Sequence, residues 1–253
     1  MPTANNQGIR IHYEVEGQGP PLVLQHGLTA DLESWRSIGY VEALKNDYRL
    51  ILIDARGHGA SDKPHAPEAY KAALMAGDVV AVLDELNIHK AHYCGYSMGG
   101  GIGWGIARYA PERFRSLIIG GMSPYHNMPP EGFNFVALFQ QGMPAVLAAF
   151  EVVWGPRWTS NLKAKVSAND LEALIAVCLG DEDPGIKDLL PTITLPCLLF
   201  GGEKDDVFGG AQECARRMPN ATLVSLPGLD HIEALYRLDL VVPHIRKFLT
   251  KVG

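Results

Sequence analysis

Hydrophobic and polar positions follow two patterns that alternate along the chain. Short, nearly continuous apolar runs are typical of strands buried on both faces of a parallel sheet. Longer stretches with helical periodicity separate them, and in Glu68 to Leu86 the apolar residues lie on one side. Gly8 to Glu16 instead alternates apolar and polar positions, as a half-exposed strand does. The other predicted strands are residues 21–25, 49–54, the run that begins at Ala91, 115–121, 196–201 and 221–226.

The predicted helices lie between these strands. They are residues 32–44, 68–86, the stretch from Ser97 to Tyr109, 211–218 and 236–251. Pro243 either kinks the last helix or delays its start, because proline cannot donate a backbone hydrogen bond. Strands that alternate with helices imply a mainly parallel sheet covered by helices on both faces, which is an α/β architecture.

The alternation stops between residues 124 and 191. From Gly132 to Trp154 the only charged residue is Glu151, and the apolar residues are too numerous for one helical face. A surface segment that is apolar on two sides should pack one side on the body of the protein and offer the other to a pocket. We therefore expect a small helical cap (lid) at residues 124–191, inserted into a core domain of residues 1–123 and 192–253. The candidate substrate-pocket residues are Tyr96, Phe135, Phe139, Leu147 and Trp154. Contact with a second copy of the chain in a homo-oligomer, or ordinary core packing, is the alternative use of these apolar residues.

Length and composition fit one large α/β domain. The chain has 253 residues, 47% hydrophobic and 20% charged, so it can bury a sizeable core. Its net charge of −6 and the absence of a Lys/Arg cluster argue against a nucleic-acid partner. The four cysteines have neither Cys-x-x-Cys nor Cys/His metal spacing, and we invoke no metal or cofactor. The polar N-terminus lacks the regions of a signal peptide, and no apolar run is long enough for a membrane span, so a soluble cytoplasmic protein is expected.

The candidate chemistry is concentrated in Gly95-Tyr96-Ser97-Met98-Gly99, which has the pattern Gly-x-Ser-x-Gly. A serine on a tight turn between a strand and a helix is held in strained backbone geometry with its hydroxyl exposed. The pentapeptide alone is weak evidence, because a glycine-rich turn that binds nothing has the same pattern. The helix that follows contains further glycines, each costing about 1 kcal/mol relative to alanine, so it must be buried with its backbone close to the sheet. That placement favours a nucleophile elbow.

With these residues identified, the chain resembles the α/β-hydrolase superfamily, in its branch of small serine esterases, enol-lactonases and cofactor-free haloperoxidases. The resemblance covers nearly the whole chain. Its landmarks, in the family's order, are His26-Gly27, Asp54 to Asp62, Gly95 to Gly100, Gly202 to Asp205 and Gly228 to His231. It implies an α/β-hydrolase fold, with a mainly parallel eight-stranded sheet, helices on both faces and a small helical cap.

The resemblance also implies a catalytic triad in the order that this fold uses, with Ser97 as nucleophile, Asp205 as acid and His231 as general base. An imidazole with a pKa near 6.5 can accept the serine proton at neutral pH, and a carboxylate behind it holds its tautomer. Asp206 is the main rival for the acid, because the two aspartates are adjacent in one loop.

The oxyanion hole needs two backbone N–H groups aimed at the developing negative oxygen. By resemblance, Met98, the residue after the nucleophile, supplies one of them. Leu28, the residue after His26-Gly27, supplies the other. We interpret His26 itself as a structural residue that holds this loop.

The expected reaction is hydrolysis of a small ester or lactone with an apolar acyl group. Ser97 argues against haloalkane dehalogenase or epoxide hydrolase activity, since those members of the superfamily use an aspartate nucleophile. Enol-lactone hydrolysis is a close rival, and carbon–carbon bond hydrolysis remains open. The rival from another class is a receptor or signalling protein that uses a hydrolase-like pocket to sense a small molecule.

Overall fold

The structure is a computed structural model that describes residues 1–125, 134–180 and 185–253. Within these ranges, eight strands form one sheet in the order β1-β2-β4-β3-β5-β6-β7-β8. The first two pairings, β1 with β2 and β2 with β4, are antiparallel, and all the others are parallel. The predicted mainly parallel, eight-stranded sheet is therefore confirmed. The strands are β1 (Thr3–Asn6), β2 (Ile9–Glu16), β3 (Pro21–Gln25), β4 (Arg49–Ile53), β5 (Ala91–Tyr96), β6 (Phe114–Gly120), β7 (Cys197–Gly202) and β8 (Ala221–Leu226).

Helices follow most of the parallel strands and cover both faces of the sheet. They are α1 (Glu33–Ile38), α2 (Tyr40–Leu44), α3 (Ala72–Glu85), α4 (Met98–Tyr109), α5 (Phe135–Gln140), α6 (Met143–Trp154), α7 (Ser160–Ser167), α8 (Leu171–Gly180), α9 (Phe208–Arg217), α10 (His231–Tyr236) and α11 (Leu238–Val252). Short 3₁₀ turns lie at Pro67–Tyr70, Pro111–Arg113, Gly155–Arg157 and Lys187–Thr192. Within the described ranges, no helix combines the length and apolar character that a membrane crossing requires.

Several element boundaries differ from the sequence-based prediction. The helix predicted at 32–44 is divided into α1 and α2 at Gly39, whose φ of 108° breaks the helical backbone. The helix predicted from residue 68 begins at Ala72, since Pro67 starts a separate 3₁₀ turn. The closing helix, predicted from residue 236, begins at Leu238, because Tyr236 is the last residue of the separate helix α10, and Pro243 lies inside α11.

Alternating side chains of the strands build an apolar core on each face of the sheet. On one face, Val23 and Tyr93 pack with side chains of α3, α4 and α9. On the other face, Leu24 and Cys94 pack with side chains of α1, α2, α10 and α11. Burial on both faces explains why these strands read as continuous apolar runs. The carboxyl ends of the parallel strands are thereby held at one edge of the sheet, where ligand sites of α/β proteins form.

The segment between β6 and β7 contains α5 to α8 among its described residues. These helices have an apolar cluster of their own, whose buried members are Phe139, Val146, Phe150, Val166 and Leu174. We call this segment the cap. Residues 126–133 and 181–184 of the predicted insertion lie outside the described residues. The division into a core domain and a cap domain at residues 124 and 191 stays a prediction.

Candidate active site

The Gly-x-Ser-x-Gly stretch forms a sharp turn between β5 and α4. Ser97 has φ 55° and ψ −119°, a conformation that residues with a side chain rarely adopt. A Cβ on Gly95 would collide with the carbonyl oxygen of Gly99, and a Cβ on Gly99 would collide with that of Gln25. The Ser97 N–H donates to the Gly120 carbonyl of the next strand at 2.9 Å. Glycine at both positions therefore lets β3, β5 and α4 approach closely enough to hold Ser97 in its strained geometry.

Three side chains that are distant in sequence form a hydrogen-bonded chain at this turn. The His231 Nε2 lies 3.0 Å from the Ser97 Oγ, and the His231 Nδ1 lies 2.6 Å from the Asp205 Oδ2. An ionised carboxylate can only accept, so Nδ1 donates to Asp205 and Nε2 is left to accept the serine O–H. This is the tautomer that a general base needs beside an alcohol.

Asp205 lies in the loop between β7 and α9. Its carboxylate also accepts from the Val207 N–H at 3.2 Å, and its side chain is 5% exposed. The neighbouring Asp206 is exposed. Of the two carboxylates that the sequence left open, the structure brings Asp205 to the imidazole.

His231 is the first residue of α10. Asp230 caps this helix, because its carboxylate accepts from the Glu233 N–H while the Glu233 side chain accepts from the Asp230 N–H. The Tyr96 hydroxyl donates to the His231 carbonyl oxygen at 2.6 Å, and the two rings lie 5.3 Å apart. The sequence analysis assigned Tyr96 only to the pocket. It missed the contact between Tyr96 and His231, because nothing in the sequence indicates that the two residues meet.

The loop after β3 lies directly against the elbow. A Cβ on Gly27 would be 3.3 Å from the Ser97 Cβ and 3.9 Å from its Oγ. Among the described residues, no acceptor is paired with the N–H of Leu28 or with that of Met98, the first residue of α4. Unpaired N–H groups at a helix N-terminus and in an adjacent loop can receive a developing oxyanion. The geometry is compatible with the predicted oxyanion hole.

Buried polar groups support the two ends of this loop. The His26 Nδ1 donates to the Gly27 carbonyl at 2.8 Å and its Nε2 accepts from the Ala55 N–H at 3.0 Å, while burial lowers the pKa of His26. The Asp54 carboxylate accepts from the Leu32 N–H at 2.8 Å. Burial alone would raise the pKa of Asp54. The electrostatic influence of nearby His26 and the hydrogen bonds to the carboxylate outweigh burial, so the pKa is lowered overall. The sequence landmarks His26 and Asp54 thus hold the loop in place.

A cavity of about 120 Å³ opens beside Ser97 and His231, between the body of the protein and the cap. Two of the predicted pocket residues, Tyr96 and Trp154, are among its lining residues. Phe135, Phe139 and Leu147 do not line this cavity and belong to the apolar cluster inside the cap, so their assignment to the pocket is corrected. The other apolar residues of the lining are Leu28, Ala30, Trp35, Ile38, Leu162, Val166, Ile232, Leu235 and Tyr236.

In the part of the chain that the structure describes, no group of three or more His, Cys, Asp or Glu side chains is arranged to hold a metal ion. Cys94, Cys197 and Cys214 form no disulfide, and burial raises the pKa of their thiols to about 12. These three thiols therefore stay protonated and act as small apolar side chains.

Comparisons with known proteins identify the family of the chain. Residues 20–171 match the family with the alpha/beta hydrolase fold. The chain is 27% identical to 3-oxoadipate enol-lactonase 2 of Acinetobacter baylyi over 216 residues, 81% of this chain and 79% of the relative. The solved enol-lactonase from Burkholderia xenovorans LB400 superposes with a TM-score of 0.86 at 26% identity, covering 98% of this chain and 100% of that one. The thermophilic esterase from Thermogutta terrifontis gives 0.83 at 25% identity, covering 99% and 97%. The family match extends over more than half of the sequence, and the chain belongs to the α/β-hydrolase family.

Proposed function

We propose that this protein is a serine hydrolase that cleaves small carboxylic esters or lactones with an apolar acyl group through an acyl-enzyme intermediate. One observation carries the proposal: the Ser97 hydroxyl, the His231 imidazole and the Asp205 carboxylate form a continuous hydrogen-bonded chain beside an apolar cavity. A serine hydroxyl is a weak nucleophile at its own pKa, and a base within hydrogen-bond reach activates it. The separation of 3.0 Å between Ser97 Oγ and His231 Nε2 is within that reach.

In the acylation half-reaction, the Ser97 oxygen forms a bond to the carbonyl carbon while its proton passes to the His231 Nε2. Asp205 accepts the Nδ1 hydrogen bond and stabilises the imidazolium that results. The substrate carbonyl oxygen becomes an oxyanion, which the N–H groups of Leu28 and Met98 would receive. The tetrahedral intermediate collapses when its bond to the alkoxy oxygen breaks, and that oxygen takes the proton from the His231 Nε2.

Deacylation repeats these steps with water as the nucleophile. A water molecule gives a proton to the His231 Nε2 and bonds to the acyl carbon. The second intermediate then releases the carboxylic acid, and the proton returns to the Ser97 oxygen. With a lactone, the alcohol of the first step stays attached to the acyl chain, so a single hydroxy acid leaves at the end.

The cavity supports a small apolar acyl group. Its volume is about 120 Å³, and aromatic and aliphatic side chains form most of its wall. Transfer of apolar surface from water contributes about 25 cal/mol per Å² buried, so binding should strengthen with acyl length until the cavity is filled. The named relatives include two enol-lactonases and an esterase, which is why lactones stand beside open-chain esters.

The direct test is turnover on matched acyl donors. The purified protein is assayed with p-nitrophenyl esters from acetate to octanoate, and with simple γ- and δ-lactones followed by acid release. We expect multiple turnovers with a maximum at a short chain length. Ser97→Ala should lower kcat by at least about 10³-fold, because it removes the nucleophile of the triad. Ser167→Ala, at an exposed serine at the end of α7, is the matched control and should leave kcat unchanged.

Covalent labelling gives an independent reading. A fluorophosphonate should add one mass equivalent to the peptide that contains Ser97 in the wild type and none in Ser97→Ala. Full activity in Ser97→Ala, or labelling at another residue, would remove Ser97 from the mechanism. A single slow turnover with a retained acyl group would instead indicate a small-molecule sensor and refute the enzymatic proposal.

A further inference from the structure

Residues 27–31, which we call the oxyanion loop, have an unusual backbone. The Ala30 N–H donates to the Gly27 carbonyl at 3.3 Å and closes a turn. Thr29, the third residue of that turn, has φ 64°. Positive φ at this position is normally taken by glycine or asparagine, and a β-branched side chain is strained there. Such a conformation persists only where surrounding contacts hold it.

Three contacts join the oxyanion loop to the cap. The Leu28 side chain packs against the apolar cluster inside the cap. The Asn169 side-chain amide, just after α7, donates to the Thr29 carbonyl oxygen at 3.0 Å. The Lys165 ammonium, in the last turn of α7, lies 3.0 Å from the Asp31 carboxylate. Both side chains of this ion pair are about one quarter exposed, at 26% and 29%.

The core domain holds the loop at its two ends, and the cap holds its middle. His26 and Asp54 bind the backbone at Gly27 and Leu32. Thr29 is the strained residue between these anchors, and it follows directly on Leu28, the predicted oxyanion donor. The Thr29 carbonyl, which Asn169 holds, shares a peptide plane with the Ala30 N–H. That N–H donates to the Gly27 carbonyl, which shares its own peptide plane with the Leu28 N–H. A rotation of the Thr29–Ala30 peptide would therefore weaken a hydrogen bond that helps to fix the Leu28 N–H relative to Ser97.

We infer that Asn169 and Lys165 are positioning residues, which keep the oxyanion loop in the conformation that aims the Leu28 N–H at the oxyanion. The inference rests on the proposed function, since it assigns a support to the oxyanion hole of that reaction. In this arrangement the cap both covers the acyl group and supports the oxyanion loop. The chemical step depends on a contact between two segments that are separated by 140 residues.

The test compares an ester with its thionoester, in which sulfur replaces the carbonyl oxygen. Sulfur accepts hydrogen bonds weakly, so an intact oxyanion hole favours the oxygen substrate. The substrates are p-nitrophenyl butyrate and its thiono analogue. The readout is the ratio of kcat/KM for the ester to kcat/KM for the thionoester. In Asn169→Ala and in Lys165→Met, we expect kcat/KM for the ester to fall about tenfold, less than the 10²–10³-fold cost of losing a donor outright. The kcat/KM for the thionoester should fall by less than about twofold, so the ratio of ester to thionoester should fall as well.

The matched controls lie on the same helix and face away from the oxyanion loop. Ser167→Ala removes a local hydrogen bond to the Lys163 carbonyl, and Lys163→Met removes an exposed charge. Both should keep the wild-type ratio. Asn169 also donates to the carbonyls of Lys165 and Val166, so Asn169→Ala loosens the end of α7 as well, and Lys165→Met provides the second variant without that effect.

Each outcome decides the inference. A lowered ratio in both variants supports it. Lys165 lines the cavity, so a proportional loss of kcat/KM for both substrates means that less of the protein is active or that the cavity wall has changed. An unchanged ester rate means that the contacts do not serve catalysis. Either result overturns the inference. Absence of ester turnover in the wild type would refute the proposed function itself, which separates the two failures.

Discussion

Replacing Tyr96 by phenylalanine removes one hydroxyl group and keeps the aromatic ring. The hydroxyl donates to the His231 carbonyl at 2.6 Å, and the residue is 3% exposed. Burial raises the pKa of Tyr96 well above its usual value, so the hydroxyl stays a donor at every pH at which the protein would be assayed. The substitution therefore removes a hydrogen bond to the residue whose imidazole faces Ser97.

The size of the effect can be worked from this contact. A buried hydrogen bond contributes about 0.5–1.5 kcal/mol to the free energy of unfolding. For a domain of this length, a loss of about 1 kcal/mol lowers Tm by roughly 2–4 °C. The Asp205 contact still holds the far side of the imidazole, so its displacement should be less than the ~1 Å that costs about 10²-fold in rate. We expect kcat to fall about threefold to tenfold, with KM little changed.

Tyr40→Phe is a matched control, because the Tyr40 hydroxyl also donates to a carbonyl of α10. The buried Tyr40 hydroxyl donates to the Leu235 carbonyl of α10 at 3.0 Å, a contact of the same kind farther from the imidazole. Thermal unfolding and steady-state ester kinetics are measured for both variants. Both should lower Tm by a similar amount, and only Tyr96→Phe should lower kcat. Equal losses of kcat in the two variants would refute a positioning role for Tyr96, as would an unchanged kcat in Tyr96→Phe.

Three further predictions follow from other contacts. Gly99→Ala should abolish or sharply reduce the yield of folded protein, whereas Gly101→Ala, where a Cβ meets nothing within 4 Å, should raise stability by about 0.5–1 kcal/mol in chemical denaturation; equal behaviour would contradict the close approach at Gly99. Asp205→Asn should lower kcat by about 10³–10⁴-fold while Asp206→Asn leaves it near the wild-type value, and the reverse order would reassign the acid. Burial, followed by the influence of neighbouring His26, lowers the pKa of His58 to about 3, so the unfolded chain binds a proton at this residue as pH falls below about 6.5 while the folded protein does not. Between about pH 6.5 and 3 this residue should remove up to ~1.4 kcal/mol of stability per pH unit, and urea unfolding of His58→Asn should show a shallower acid slope; an unchanged slope would show that His58 does not contribute.

The fold was predictable where burial leaves a pattern in the sequence. Strands such as β3 and β4 are buried on both faces and read as apolar runs. β1 was missed, because Thr3–Asn6 is a polar edge strand that pairs with only one neighbour and needs no apolar run. The break at Gly39 was missed for a different reason, since the periodicity of α1 and α2 continues across it.

Candidate chemistry was predictable at strand ends. Ser97, Asp205 and the loop before His231 follow β5, β7 and β8, and the carboxyl ends of parallel strands share one edge of the sheet. Apolar residues of the cap were harder to assign. Phe139 and Trp154 have the same kind of side chain, yet Phe139 is buried inside the cap and Trp154 lines the cavity. Composition predicts that such aromatic residues are removed from solvent. Only the packing of the helices decides whether they lie inside the cap or in the wall of the cavity.

The contacts that hold the candidate site in place cannot be read from a sequence motif. Tyr96 and His231 are 135 residues apart, and Thr29 and Asn169 are 140 residues apart. Each pair joins a side-chain donor to a backbone carbonyl, and every residue provides such a carbonyl, so the acceptor leaves no trace in the sequence. In the Gly-x-Ser-x-Gly motif the nucleophile is a serine at a fixed position, whereas a positioning contact needs only a hydrogen-bond donor at the right distance. Contacts of this kind therefore have to be found from the structure. Each can be separated from a general effect on stability only by a control variant that breaks a bond of the same kind elsewhere, as Tyr40→Phe and Ser167→Ala do here.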